Sequence, residues 1–222
     1  MKVLVIAAHP DDEILGCGGT LARHVMEGDE VNIVIVAEGA TSRQDEGREN
    51  VTALRQAASD AAVALGAQPP VFLGLLDNRL DSVDLLDIVQ AIEEQARSIQ
   101  PEIIYTHHGS DLNLDHHVVN RAAITAFRPL PGHTIRAIYA YETLSSTEWG
   151  TGSTGPAFRP QHFVDITETL DTKMKALDCY QMEMRAFPHP RSNEAVTSLA
   201  KLRGSHAGVL AAEAFEVILE IR

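Results

Sequence analysis

Lys2-Val3-Leu4-Val5-Ile6-Ala7-Ala8, running straight into His9-Pro10-Asp11-Asp12-Glu13, is the stretch on which the fold turns. An apolar run without alternation marks a strand covered on both faces, the condition of a parallel sheet flanked by helices. The polar residues that follow stand where open parallel sheets bind ligands, beyond the carboxyl ends of their strands. The run has a superficial likeness to a secretory leader. It is short for an apolar region of ~7–15 residues, and His9-Pro10-Asp11 stands where a small-residue cleavage site belongs.

Outward from this strand the periodicities alternate. Ile14, Leu15, Leu21, Val25 and Met26 recur at helical spacing, and Gly28-Asp29 closes the segment. Val31–Ala37 is a second β-branched run, followed by a polar loop and an Ala-rich helix from about Asp45 to Leu65, stopped by Gly66 and Pro69-Pro70. Val71–Leu75 is a third strand. Val83–Ile99 is a helix with Leu85, Leu86, Val89 and Ile92 on one face, ended by Pro101. Glu102–Thr106 is the fourth strand, Asp115–Phe127 a helix and Ile135–Tyr141 a strand. This order predicts an α/β fold, Rossmann-like, with three layers around a mostly parallel central sheet.

Further on the pattern loosens. Ser145–Gly155, rich in Ser, Thr and Gly and holding the only Trp, reads as a mobile loop beside the site, either linker or lid. A strand near Phe163–Ile166, helices over Glu168–Met184 and Asn193–Arg203, and a last strand over Phe215–Ile221 complete the expectation. One domain over residues 1–222 follows, with a Rossmann-like core in 1–127 and the lid, C-terminal helices and last strand in 128–222.

With 45% apolar and 22% charged residues the composition is that of a globular protein. A formal charge of -13 argues against nucleic acid as a partner, because phosphate binding needs clustered Lys and Arg. Cys17 and Cys179 form no paired motif, so neither a disulfide framework nor a thiolate metal site is indicated. No stretch approaches the ~18 apolar residues of a membrane span, and a cytoplasmic location is expected.

Two clusters carry chemistry. After the first strand, an imidazole and adjacent carboxylates can divide labour, His9 and one aspartate ligating a metal while the other handles protons. Acidic residues also favour helix starts for their interaction with the dipole, but the His9-Pro10 prefix points past that explanation. A dinucleotide site is excluded by spacing, since Gly16-Cys17-Gly18-Gly19 comes too late for the glycine fingerprint. After the fourth strand, Thr106-His107-His108-Gly109-Ser110-Asp111-Leu112-Asn113-Leu114-Asp115-His116-His117 packs four imidazoles into a dozen residues. Catalytic zinc takes three protein ligands and keeps one position open, so one of these histidines completes a set with the first cluster.

Together, Ala8-His9-Pro10-Asp11-Asp12-Glu13, Gly16-Cys17-Gly18-Gly19-Thr20-Leu21 and Asn113-Leu114-Asp115-His116 resemble the LmbE-like, or PIG-L, deacetylases, zinc hydrolases of N-acetylglucosaminyl compounds. The resemblance implies Zn2+ held by His9, Asp12 and His116, with Asp11 as general base. It implies hydrolysis of the acetamide of an N-acetylated sugar or glycoconjugate, giving acetate and a free amine, in a chain that is often a homo-oligomer. The family's second motif reads His-Pro-Asp-His, and here Asn113 holds its first position. An amide can donate to an oxyanion but cannot shuttle a proton. Asp115, usually that histidine's partner, then stands behind the ligands without an evident task.

His107, His108 and His189 are the alternative helpers, His189 first because Pro188, Pro190 and Arg191 place it on a stiff, cation-bearing turn. Arg48, Asp77, Asn78 and Arg79, on loops after other strands, are expected to bind substrate, and Arg43 shares that neighbourhood. Two rivals remain at this point: cleavage of another N-acyl group (formyl, a longer acyl chain or a thiol-conjugate amide), and a noncatalytic sugar- or metal-binding protein. Asp11 speaks against the second, because binding alone has no use for a base beside the metal.

Overall fold

The computed structural model describes residues 1–40, 48–150, 152 and 155–221, with the side chains of residues 48 and 49 outside the description. Five parallel strands form its centre: β1 (Lys2–Ala7), β2 (Glu30–Ala37), β3 (Val71–Leu75), β4 (Ile103–His107) and β5 (Ala137–Tyr141). Two more, β6 (His162–Asp165) and β7 (Ala212–Glu220), extend the same sheet in antiparallel pairing, in the order β3-β2-β1-β4-β5-β7-β6. The first strand is buried on both faces, as its unbroken apolar run requires. Val3, Val5 and Ala7 join one core with Ile33, Ile35 and Tyr105, while Leu4 and Ile6 join the other with Val34, Ile88 and Val119. Each of the Val, Leu and Ile side chains among them stabilises the fold by ~1.5–3 kcal/mol.

The first core is covered by α1 (Asp12–Met26), α2 (Arg48–Leu65) and α5 (Leu170–Asp178), and the second by α3 (Leu85–Ile99) and α4 (Leu114–Ala126). A last helix, α6 (Asn193–Ala207), packs on β7 and β6. The helix expected over Glu168–Met184 ends at Asp178. Beyond it the chain turns toward the mouth of the sheet, where Tyr180 and Glu183 find polar partners.

Helix α1 lies close to the sheet and is broken. A Cβ on Gly16 would stand 2.2 Å from Cδ2 of Tyr141, so only glycine permits this approach. Cys17 leaves the helical region (φ -144°, ψ 17°), which frees backbone groups in a buried setting. Gly19 N and Thr20 N donate to the Glu213 carboxylate at 2.9 and 2.7 Å, and Lys173 Nζ donates to Leu15 O at 2.9 Å and Glu213 Oε1 at 2.6 Å. A buried ion pair from α5 and β7 thus replaces the hydrogen bonds lost at the break.

Candidate active site

The connection from β1 leads to β2 on one side, while β4 lies on the other. The crevice between their carboxyl ends is the switch point at which such sheets bind ligands. His9–Asp12 enter it from β1, and residues 107–116 from β4. Asp11 adopts a left-handed conformation (φ 110°), strained for a non-glycine residue by ~1–3 kcal/mol. Glu13 holds it there: Asp11 N donates to Glu13 Oε2 at 3.1 Å, and Tyr180 Oη donates to Glu13 Oε1 at 2.5 Å. The kink lets neighbouring carboxylates serve different partners, Asp12 the imidazoles and Asp11 the guanidinium of Arg191.

His9 Nδ1 and His116 Nε2 each lie 3.2 Å from Asp12 Oδ2. Ligand atoms bound at ~2.0 Å around a tetrahedral zinc stand roughly 3.3 Å apart, so the set fits that ion. Two further observations support the fit. Asp12 Oδ1 is buried without a hydrogen-bond partner, and the outer nitrogens face carboxylates. His9 Nε2 lies 3.0 Å from both Asp77 Oδ1 and Asp115 Oδ2, and His116 Nδ1 3.1 Å from Asp111 Oδ1. Carboxylates behind the imidazoles are the usual device for fixing the ring and tautomer of a metal ligand. A second His-carboxylate group, His24 with Glu27 and Asp29, lies at the amino-terminal edge of the strands. There both His24 nitrogens are already bonded, to Asp29 and Tyr105.

The same carboxylates govern proton affinity. Burial drives His116 down, but the charge of Asp12 and the hydrogen bond to Asp111 outweigh it and lift its pKa to about 9. His9 is likewise held well above the ordinary range, hydrogen bonds to Asp115, Asp12 and Asp77 overcoming burial. Asp12 is pulled well below its range, chiefly by His116, in spite of burial. A ligand must be deprotonated to bind, so a metal competes with these protons. Apparent metal affinity is therefore expected to rise with pH up to about 9. Calorimetric titration in buffers of different ionisation enthalpy counts the protons released, and no release would refute the assignment of His116.

Asp115 has two tasks: besides His9, it accepts from Asn78 N at 2.7 Å and Leu80 N at 3.1 Å, fixing the loop after β3. Asp77, expected to face substrate, is instead buried against His9, because a carboxylate out of water needs a partner. Asn78 and Arg79 are exposed on that loop. The side chain of Arg48, and Arg43 with most of its segment, lie outside the described residues. The loop after β5 is pinned rather than loose over 146–147, where the Ser146 and Thr147 hydroxyls donate to Asp111.

Of the proposed helpers, Asn113 caps α4, its Oδ1 accepting from Asp115 N at 2.8 Å. His107 is fully buried, accepts from Ala8 N at 2.9 Å and stacks on His116. Burial and the His116 charge hold its pKa well below the usual value, so it packs as a neutral ring. His108 is turned to Glu216 and the carbonyl of Pro156. His189 is exposed, and its Nδ1 accepts from Arg191 N. It is Arg191, two residues on, that enters the site, donating from Nη1 to Asp11 Oδ2 at 2.7 Å. Burial pushes Asp11 up to about 7, with Arg191 opposing the rise and Asp12 and Glu183 adding to it.

Comparison with known proteins agrees with this geometry. Residues 4–127 match the PIG-L family, described as GlcNAc-PI de-N-acetylase. An Escherichia coli protein named uncharacterized deacetylase YaiS is 32% identical over 79% of this chain and 88% of its own. A 4-oxalmesaconate hydratase of Pseudomonas putida is 30% identical over 80% of this chain and 72% of its own. The N,N'-diacetylchitobiose deacetylase of Pyrococcus horikoshii superposes with a TM-score of 0.79 at 23% identity, covering 98% of this chain and 83% of that one, a likeness of fold. With the paired motifs at one switch point and more than half of its length matched, the chain belongs to the PIG-L family of deacetylases.

Proposed function

We propose that the chain is a zinc-dependent hydrolase that removes the acetyl group from an N-acetylated sugar or sugar conjugate, yielding acetate and a free amine. The observation that carries this reading is Asp11 Oδ1, buried and without a hydrogen-bond partner, beside the His9-Asp12-His116 set. Those three residues would hold zinc, which when bound would supply Lewis acidity for the acyl oxygen and lower the pKa of a water. Asp11 takes the proton of the attacking water at Oδ1 and returns it to the leaving nitrogen. A carboxyl near 7 is suited to both transfers at neutral pH. Asn113 has Oδ1 engaged in the cap and offers its Nδ2 hydrogens to the developing oxyanion. Asn78 and Arg79, exposed on the loop tied to Asp115, would bind sugar hydroxyls. The free cysteines Cys17 and Cys179 accord with a cytoplasmic protein, and we retain the expectation of a homo-oligomer and a single domain.

A second reading is hydration, because the relative named as a hydratase is about as similar as the deacetylase-named one. A common fold does not decide between reactions. Metal-loaded protein given a panel of N-acetyl, N-formyl and long-chain N-acyl amino sugars is expected to release acetate with an equal amount of amine. Consumption of 4-oxalmesaconate without acetate release from any amino sugar would replace the first reading with the second.

A further inference from the structure

Residues 185–191 form a closed turn, Arg185 N donating to Arg191 O at 2.8 Å and Arg191 N to His189 Nδ1 at 3.0 Å. From this turn the Arg191 guanidinium reaches a residue 180 positions earlier in the chain. Its Nη1 donates to Asp11 Oδ2 at 2.7 Å and lies 3.5 Å from Glu183 Oε2, while its Nε donates to Ser145 Oγ at 2.9 Å. Asp11 is 1% exposed and the Arg191 side chain 21%, so of the pair it is the guanidinium that keeps contact with solvent.

The backbone of Asp11 leaves the direction of its carboxylate to its partners. Asp11 sits at φ 110°, outside any helix or strand that would dictate a rotamer, and Glu13 holds only its N–H. Of the two carboxylate oxygens, Oδ2 is held by Arg191, whereas Oδ1 is buried without a hydrogen-bond partner. The two oxygens of a free carboxylate are equivalent. A planar, permanently charged donor fixed at two of its own nitrogens removes that equivalence and sets the plane of the group.

We propose that Arg191 is the positioning residue of Asp11, holding Oδ2 so that Oδ1 alone faces the reacting water. This rests on the reading of Asp11 as the base. The Arg191 side chain belongs to the turn between α5 and α6, so the base is aimed by a part of the chain remote from both metal-binding motifs. Ser145 Oγ braces the guanidinium from the loop after β5, and its own backbone is left-handed (φ 68°). Three segments therefore meet at one guanidinium–carboxylate pair.

A role in neutralising buried charge alone would act on stability, and the test separates the two. Zinc-loaded R191A is expected to release acetate from N-acetylglucosamine with kcat about a hundredfold lower, the scale of a misplaced reacting group. KM and zinc content should stay near those of the unaltered protein. Guanidinium chloride, kept below its denaturing range, is expected to restore kcat tenfold or more, because the vacated position opens to solvent. Unchanged kcat, a rise in KM alone, or a loss that guanidinium does not relieve in a folded, metal-loaded variant overturns the proposal.

If R191A does not fold, R191K carries the test. It retains charge and stem but not the two-nitrogen brace, and roughly a tenfold fall in kcat at constant KM is expected. No change in its kcat overturns the proposal. Asp11→Asn in the same assay keeps the two ideas apart. An active D11N removes the base and with it the role of Arg191, whereas an inactive D11N beside a fully active R191A refutes the arginine alone.

Discussion

Replacing Asp11 by Asn is expected to leave the metal stoichiometry intact and to lower kcat by roughly 10²–10⁴-fold, the usual worth of a positioned acid-base group. The amide has the same shape, and its carbonyl oxygen still accepts from Arg191, so the site keeps its form. What it loses is an oxygen able to take a proton. Metal analysis beside steady-state acetate release checks both halves, and turnover at the unaltered rate would show that the base lies elsewhere. Stability should move the other way. Burial raises the Asp11 carboxyl from 3.8 to about 7, so the folded state favours its protonated form. A group raised on folding contributes stability that is fully present at low pH and declines as pH climbs from 3.8 through about 7. Asparagine never ionises, and D11N should therefore lose less stability than the unaltered protein across that interval. Thermal melts over the range will show whether it does.

The second large effect is structural. Glu213→Ala strands the Lys173 ammonium, 3% exposed, together with the N–H groups of Gly19 and Thr20. Removing one partner of a buried ion pair costs about 3–5 kcal/mol, because the other is left unpaired out of water. For a chain of this size that corresponds to a fall in Tm on the order of 10 °C. Lys173→Met combined with Glu213→Leu should recover only part of the loss. The pair can be exchanged for apolar packing, but the two backbone donors at the break cannot. A double-mutant cycle read by denaturant unfolding gives the coupling, and E213A within about 1 kcal/mol of the unaltered protein would contradict the account of the break.

Much of the fold was legible because its signal is local. The unbroken run Lys2–Ala8, the β-branched run after Gly28-Asp29 and the Gly and Pro stops each report on their own neighbours, and β1, β2 and β3 lie where they were read. The helix after β6 was read too long. Residues 179–184 keep an apolar, helix-compatible composition, but Tyr180 and the turn beyond it are drawn to Glu13 and Asp11, partners that lie in the first motif. The two local motifs of the site were legible for the same reason as the strands. Asp77 was read as substrate-facing and Asp115 as idle, because nothing near either one in sequence shows that both close on His9. In the sequence Arg191 stands out only as the neighbour of His189. A guanidinium two residues beyond an exposed imidazole gives no local sign of which of the two turns inward. The Asn113 cap was open to sequence reasoning, since Asn directly before a helix is a standard N-cap residue.

The clamp on α1 also bears on the order of events during synthesis. Glu213 meets Gly19 across 194 residues, and Lys173 meets Leu15 across 158. A ribosome thus finishes the metal-binding strand end long before it makes the side chains that steady the broken helix behind it. A nascent chain holding everything through α6 has its parallel strands and both ligand motifs, yet β7 has still to enter between β5 and β6. Contacts so distant in sequence form slowly, since a long loop must close before any of them is gained. The strand end that carries His9–Asp12 is therefore translated well before the residues that steady the helix behind it.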